Sequence, residues 1–163
     1  MRFASFMGGP VVRTVVTLYA AVVLLTQRRW HAAALSIVAV GGAGVLNTVL
    51  KRIVSRHRPH TFLGIGTGDK DSFPSGHSSG SLALSAATIY VLWHHLPHRL
   101  ARIGAAVAAT GFTGLVGTSR VKLRRHHRSD VVAGYILAAL WITLVVEVLG
   151  RIERRNDDGS KGG

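Results

Sequence analysis

Two histidines, one aspartate and several cationic residues fall in three short clusters: Lys51 with Arg58-Pro59, then Pro74-Ser75-Gly76-His77, then Ser119-Arg120 followed by His126 and Asp130. Together they match what phosphoryl transfer needs in the absence of a metal: a nucleophile in line with the leaving oxygen, an acid to protonate that oxygen, and fixed positive charge around the equatorial oxygens. His126 and Asp130 stand four residues apart at the entrance to an apolar segment, so a helix that begins early puts both on one face. The carboxylate can then hold one ring nitrogen protonated and turn the other toward phosphorus. His77 heads another apolar segment, where the backbone N–H groups of Ser75, Gly76 and His77 lie near a helix N-terminus that attracts anions. Gly76 lets backbone approach a ligand closely. His77 can donate a proton to the leaving oxygen; neighbouring cations lower its pKa and a bound phosphate raises it. Lys51, Arg58 and Arg120 are the oxyanion clamps, arginine as a fork and lysine as a point charge.

The elements that must position these groups are apolar. Five segments stand out, at about 11–27, 31–50, 78–96, 103–118 and 131–150, several of them near the ~20 residues that an α-helix needs to cross the hydrocarbon core. The expected fold is therefore an all-α, polytopic transmembrane bundle of about five spans. Residues 1–150 form a single domain and 151–163 a polar, mobile tail. The stretch 51–77, with Pro59, Gly64, Gly66, Gly68 and Pro74, reads as the longest loop. Glycines 41, 42, 44, 104, 111, 114 and 117 fit close helix packing in lipid, although for any single glycine simple tolerance is the better reading. Counting crossings places the loops after residues 50 and 118 on one side, so the three clusters share a face. Arg28-Arg29, Arg99 with Arg102, and the cations of 151–155 fall on the other, which the positive-inside rule makes cytoplasmic. The cluster face carries still more cations; a catalytic role accounts for several of them. The expected location is the cell membrane, with the site on the extracytoplasmic face.

Composition narrows the partners. The chain has 163 residues, 48% of them hydrophobic, with twenty Lys and Arg against seven acidic residues and a formal net charge of +13. Such a balance calls for anionic partners, but the cations alternate with long apolar stretches, which favours membrane lipids and phosphate over nucleic acid. No cysteine is present, so disulfides and thiolate metal sites are excluded. The N-terminus lacks a convincing cleavage site after its apolar run, with Arg13 interrupting it, and is expected to be retained. Nine histidines invite a metal reading, yet adjacent His126 and His127 point apart and no carboxylate-rich partner accompanies them; no metal and no cofactor is expected. His31, His94, His95 and His98 read as interfacial, and His57, His60 and His127 carry no assigned role. Asp69 and Asp71 read as solvated loop residues, and Glu147 as snorkelling near its helix end.

In order and spacing, Lys51-x6-Arg58-Pro59, Pro74-Ser75-Gly76-His77 and Ser119-Arg120-x5-His126-x3-Asp130 resemble the three-part signature of the type 2 phosphatidic acid phosphatase (PAP2) and vanadium haloperoxidase superfamily. The resemblance covers roughly residues 46–150. It implies a PAP2-like core and a metal-independent phosphatase with a phosphohistidine intermediate, in which His126 is the nucleophile, Asp130 its partner and His77 the acid. Lys51, Arg58, Ser75, Gly76 and Arg120 would bind phosphate. Two departures stand against the family pattern. Its members commonly have six spans, as though a first helix were absent here or the start lay too far downstream. Where relatives often carry an aromatic residue, a glycine and a proline in the third motif, this chain has Lys122, Arg124 and Arg128, which either favour a diphosphate or multiply anionic headgroup or simply solvate the loop. The expected substrate is a lipid phosphomonoester or diphosphate of the phosphatidic acid, phosphatidylglycerol phosphate or polyprenyl diphosphate type. The rivals are a vanadate-dependent haloperoxidase, whose members are larger and soluble, and a non-catalytic binder of anionic lipids. Oligomeric state is not encoded in any of these features.

Overall fold

The computed structural model describes residues 1–54, 56, 72–93 and 95–161. Arg58, expected as an oxyanion clamp, lies outside the described residues, as do His57, His60, Asp69, Asp71 and His94. Six helices follow in order: α1 Arg2–Met7, α2 Pro10–Thr26, α3 Trp30–Val54, α4 Gly76–Leu92, α5 Arg99–Lys122 and α6 Arg128–Lys161. The last five coincide with the five apolar segments. Short α1 carries no comparable apolar run and was not foreseen. Helix α6 runs on through Arg151 to Lys161, where the sequence suggested a break to a polar tail; residues of the 151–155 stretch are good helix formers, and nothing before Gly159 interrupts them.

Local chemistry explains where the helices start and stop. Pro10 opens α2 at a position where its missing N–H costs nothing. At the far end Arg28 adopts a left-handed backbone, φ 59°, while Arg29 N–H bonds to the Leu24 carbonyl and Arg28 N–H to that of Leu25, a Schellman stop. Helix α5 ends the same way around Arg124, φ 52°, with Arg125 N–H on the Arg120 carbonyl and Arg124 N–H on that of Val121. At the start of α6 the Asp130 carboxylate reaches back to the N–H of His127 at 2.9 Å, the reciprocal half of a capping box.

Helix α4 is the axle of the bundle, packed against α2, α3, α5 and α6, while α1 lies on α5. It carries a buried serine face, Ser78, Ser79, Ser81 and Ser85, in place of large apolar side chains. Each hydroxyl needs a partner: Ser85 pairs with Thr113 of α5 at 3.1 Å and Ser81 donates to the Ser78 carbonyl. The apolar core is built from small residues, Ala39, Ala43, Ala83 and Ala87, with Leu35, Val40 and Val145. Outward faces are apolar as well: Val132, Ile136, Leu140 and Leu144 form an exposed stripe along α6, which suits a lipid solvent rather than water.

Among the described residues, α3, α5 and Arg128–Ile152 of α6 are long and apolar enough to cross a membrane, and α2 is a shorter apolar helix. The five expected spans are thus present as helices, but three to four qualify as spans by length and composition. Helix α4 falls short because it has only 17 residues and much of its surface is hydroxylated. Glu147, near the end of the last span, is exposed and pairs with Arg151 one turn on at 2.8 Å.

The glycines divide sharply. A Cβ at Gly41, Gly104, Gly111 or Gly114 would meet nothing within 4 Å, whereas one at Gly42 would strike the Trp141 ring and one at Gly117 the Tyr135 hydroxyl. The tightest backbone approach involves Gly134, where a Cβ would lie 2.7 Å from the Ser75 carbonyl oxygen and 3.3 Å from Ser79 N. Gly134→Ala should therefore push α6 off the head of α4 and cost about 1–3 kcal/mol. Gly111→Ala, in open space, should be neutral or gain up to about 1 kcal/mol. Unfolding midpoints in detergent micelles check both; equal midpoints for the two variants would refute the close crossing.

Candidate active site

The C-terminal ends of α3 and α5 and the N-terminal ends of α2, α4 and α6 meet at one end of the bundle, as the crossing count requires. They enclose a cavity of about 330 Å³ whose walls include Lys51, Gly76, His77, Arg120 and His126. One residue or more from each of the three sequence clusters therefore faces the same space. His126 and Arg120 are buried, with 3% and 8% of their surface exposed. Nothing in the folding of a bundle favours packing these cations together; an anion in the cavity is what would balance them.

Asp130 organises the site from behind. Wholly buried, its Oδ2 accepts from Ser72 Oγ at 2.6 Å and from the His127 N–H, and its Oδ1 accepts from Arg56 at 3.0 Å. Its backbone carbonyl accepts the Ser75 N–H at 2.9 Å. The His126 ring lies 3.6 Å from Oδ2 through Nδ1, too far for a hydrogen bond. That nitrogen is instead 2.7 Å from the Ser72 carbonyl oxygen. An oxygen that can only accept fixes Nδ1 as the protonated nitrogen and leaves the lone pair on Nε2. The expected partnership of His126 with Asp130 is present at ion-pair distance, while the ring's hydrogen bond goes to the carbonyl of Ser72, whose side chain Asp130 holds.

Ser75 takes a different place from the one its motif suggested. It is fully buried, its N–H is committed to Asp130, its Oγ accepts from Ser78 at 3.0 Å, and it does not line the cavity. Gly76 and His77 begin α4 and do face it. Close approach is the reason for glycine at 76: a Cβ there would lie 2.9 Å from Asn47 Oδ1.

Three participants were missed at the sequence level. Asn47, one turn before Lys51 on α3, is buried and donates through Nδ2 to the Pro74 carbonyl and to Ser79 Oγ, both at 3.3 Å; a lone amide in an apolar run was its signal. Arg56 lies inside the stretch that had been read as loop, its backbone carbonyl accepting the Ser72 N–H. Arg13, read only as an interruption of the first apolar segment, turns inward to line the cavity and donates to the Gly76 carbonyl at 3.0 Å. Gly80 makes its slot, since a Cβ there would collide with the Arg13 guanidinium. A charge inside an apolar helix is expensive and usually faces a functional interior, which is the rule that would have found it.

His77 stands ahead of the apolar stretch of α4. Burial first, then the charges of Arg120, His126, Arg13 and Lys51, push its pKa down to about 3. The ligand-free imidazole is therefore neutral at physiological pH, and only an added negative charge can make it an acid.

Helices with lipid-suited outer faces, closed at one end around a cationic, imidazole-bearing cavity, define an integral membrane protein. The sequence pattern of the PAP2 superfamily matches residues 32–154, and the chain belongs to that superfamily. It is 35% identical over 125 residues to phosphatidylglycerophosphatase B of Bacillus subtilis (strain 168), covering 74% of this chain and 59% of that protein. To lipid A 1-phosphatase of Rhizobium johnstonii it is 32% identical over 116 residues, 66% of this chain and 43% of the relative. The chain thus spans about half the length of these curated relatives. The crystal structure of a transmembrane PAP2-type phosphatidylglycerolphosphate phosphatase from Bacillus subtilis superposes with a TM-score of 0.81 at 28% identity, over 93% of this chain and 75% of that one.

The anchor can be tested without any substrate. Asp130→Asn should destabilise by about 1–3 kcal/mol, because an amide cannot accept from all three donors at once. Arg56→Gln should cost less than about 1 kcal/mol, its side chain being 41% exposed. Denaturant unfolding in micelles gives both values, and the reverse order would show that Asp130 is not the anchor.

Proposed function

We propose that this protein is a membrane phosphatase that hydrolyses a phosphate ester or diphosphate at the head of a lipid, without a metal, through a phosphohistidine. The observation that carries this reading is the cavity lined together by Lys51 of α3, His77 of α4, Arg120 of α5 and His126 of the turn into α6. Membership of the superfamily and the identity of the relatives, a phosphatidylglycerophosphatase and a lipid A 1-phosphatase, support it.

In this mechanism the equatorial oxygens of the phosphate sit among Lys51, Arg120, Arg13 and the head of α4; Arg58, a phosphate ligand by its motif alone, lies outside the described residues. His126 Nε2 attacks phosphorus as the bond to the lipid oxygen breaks. His77, protonated because the dianion beside it raises its pKa, delivers that proton to the departing oxygen. The neutral His77 then takes a proton from water, whose oxygen attacks the phosphohistidine and releases phosphate. Asp130 acts as a positioning residue through Ser72. The cavity lies at the bundle end opposite Arg28, Arg29, Arg99 and Arg102, which places it on the extracytoplasmic side if those cations are cytoplasmic.

The decisive experiment is phosphate release from phosphatidic acid, phosphatidylglycerol phosphate and a polyprenyl diphosphate, with wild type and His126→Ala side by side. Wild type should turn over at least one lipid in the presence of EDTA, and His126→Ala should lose about 10³-fold or more. Activity abolished by EDTA and restored by Mg²⁺ would refute the metal-free route. Phosphate binding should also take up a proton onto His77, read by calorimetry in buffers of differing ionisation enthalpy. His77→Gln should lose that uptake; its persistence would assign the proton elsewhere.

A further inference from the structure

Helix α1 turns its large apolar side chains away from the protein and its small ones toward it. Ala4 and Ser5 are buried, and Gly8 just beyond sits so close to α5 that a Cβ there would lie 2.5 Å from Val116 Cγ1. Phe3 and Phe6 point outward, with 76% and 66% of their surface exposed. Six residues are too few for a helix to hold itself by backbone bonds alone, and its small buried side chains offer little apolar contact with α5. What covers the two rings follows from their place. Immediately after α1, α2 turns Val11, Val15 and Leu18 outward, part of the lipid-suited surface of the bundle. Phe3 and Phe6 prolong that surface to the end where the catalytic cavity lies, beside the cation Arg2. Aromatic rings next to a cation are the composition that seats a short segment at the boundary between acyl chains and headgroups.

The inner side of the same helix reaches the site. Ser5 Oγ accepts a hydrogen bond from Arg120 Nη1 across 115 positions of sequence, and both residues are buried. Arg2 and Phe6 line a cavity of about 810 Å³ that also reaches His77 and Arg120, so α1 stands at the margin of the site. An arginine side chain has many rotamers, and a guanidinium aids reaction only as far as it is already aimed. We infer that α1 is a lipid-seated strap: Phe3 and Phe6 hold it in the acyl boundary, and Ser5 on its inner side positions Arg120 for the phosphate. Ser5 acts through Arg120 and is a positioning residue. The inference rests on the phosphatase reading for the role of Arg120, and on the packing of α1 for the strap. Turnover thereby depends on lipid contact at a helix that contains none of the three sequence clusters.

Seat and positioning are tested separately. The chain has no cysteine, so Phe3→Cys gives one attachment point for a fluorophore. In vesicles of phosphatidylcholine and phosphatidylglycerol the label should be quenched by nitroxides on the acyl chains and shielded from iodide; the reverse pattern would overturn the seat. For positioning, the full chain in the same vesicles is titrated with orthovanadate, an oxyanion shaped like phosphate, and assayed for phosphate release from whichever of the lipids named above wild type hydrolyses. Ser5→Ala should weaken vanadate binding and lower kcat/KM by about tenfold, and Ser5→Thr, which keeps the hydroxyl, by less than about threefold. In an Arg120→Gln background Ser5→Ala should change vanadate affinity no further. Additive losses would overturn the positioning role, as would a lowered unfolding midpoint with unchanged affinity of the folded protein. Phe3→Ser combined with Phe6→Ser should reproduce the Ser5→Ala loss in vesicles, and Phe3→Leu combined with Phe6→Leu should not. Wild-type affinity and turnover in the paired Phe→Ser variant would overturn the strap. If no lipid yields phosphate in a His126-dependent manner, the phosphatase reading itself has failed, and the label and the vanadate series still decide the strap.

Discussion

One buried carboxylate holds this site together. Asp130 has no exposure to solvent, and through its two side-chain oxygens and its carbonyl it binds Ser72, His127, Arg56 and Ser75. Those partners belong to three regions far apart in the chain: the end of the connection into α4, the turn into α6, and the segment that leaves α3. A buried ion must be fully satisfied to be tolerated, so its needs fix where those regions meet. The imidazole of His126 inherits its orientation from that meeting through a peptide carbonyl. Close contact between Gly134 and the head of α4 lets the arrangement form at all.

Around this one negative group the cavity is crowded with positive charge. Lys51, Arg13 and Arg120 all depress the basicity of His77, which means that each also repels the others. In the proposed reaction an entering dianion offsets several of these repulsions in one event. The same event restores basicity to His77. On the proposed reading, binding and the protonation of His77 are then coupled by charge.

Much of the architecture was legible in the chain. Apolar runs bounded by charged or proline-containing turns marked all five long helices, within a few residues except at the far end of α6, since in such a sequence hydropathy and helix largely coincide. Parity then brought the three clusters to one end without any knowledge of packing. The details that escaped are of another kind. Asp130 stands one helical turn after His126, which made a direct pair the natural expectation, but helix-capping geometry claimed its carboxylate and left the ring's hydrogen bond to Ser72. Ser75 was read from its motif as a ligand, yet its N–H was needed by a distant carbonyl. Asn47, Arg13 and Gly134 act across helix interfaces, and one strand of sequence does not say which face of a helix meets which neighbour. The seven glycines singled out show the same limit: several of them face open space, and the tightest approach belongs to a glycine that no pattern marked.

The brevity of α4 has a mechanical corollary. Seventeen residues span about 25 Å, less than the ~30 Å thickness of a hydrocarbon slab. A helix that cannot reach both borders must have its upper end sunk below one of them or draw that leaflet down to meet it. The head of α4 borders the cavity of about 330 Å³, so on the proposed reading, with that end the sunken one, the phosphate sits at a depth where acyl chains begin. A lipid then needs only to slip sideways and settle, keeping its tail immersed, and is never lifted into water. On that reading bilayer thickness becomes a variable in turnover, because a thinner leaflet lowers the surface toward the cavity and a thicker one buries its mouth.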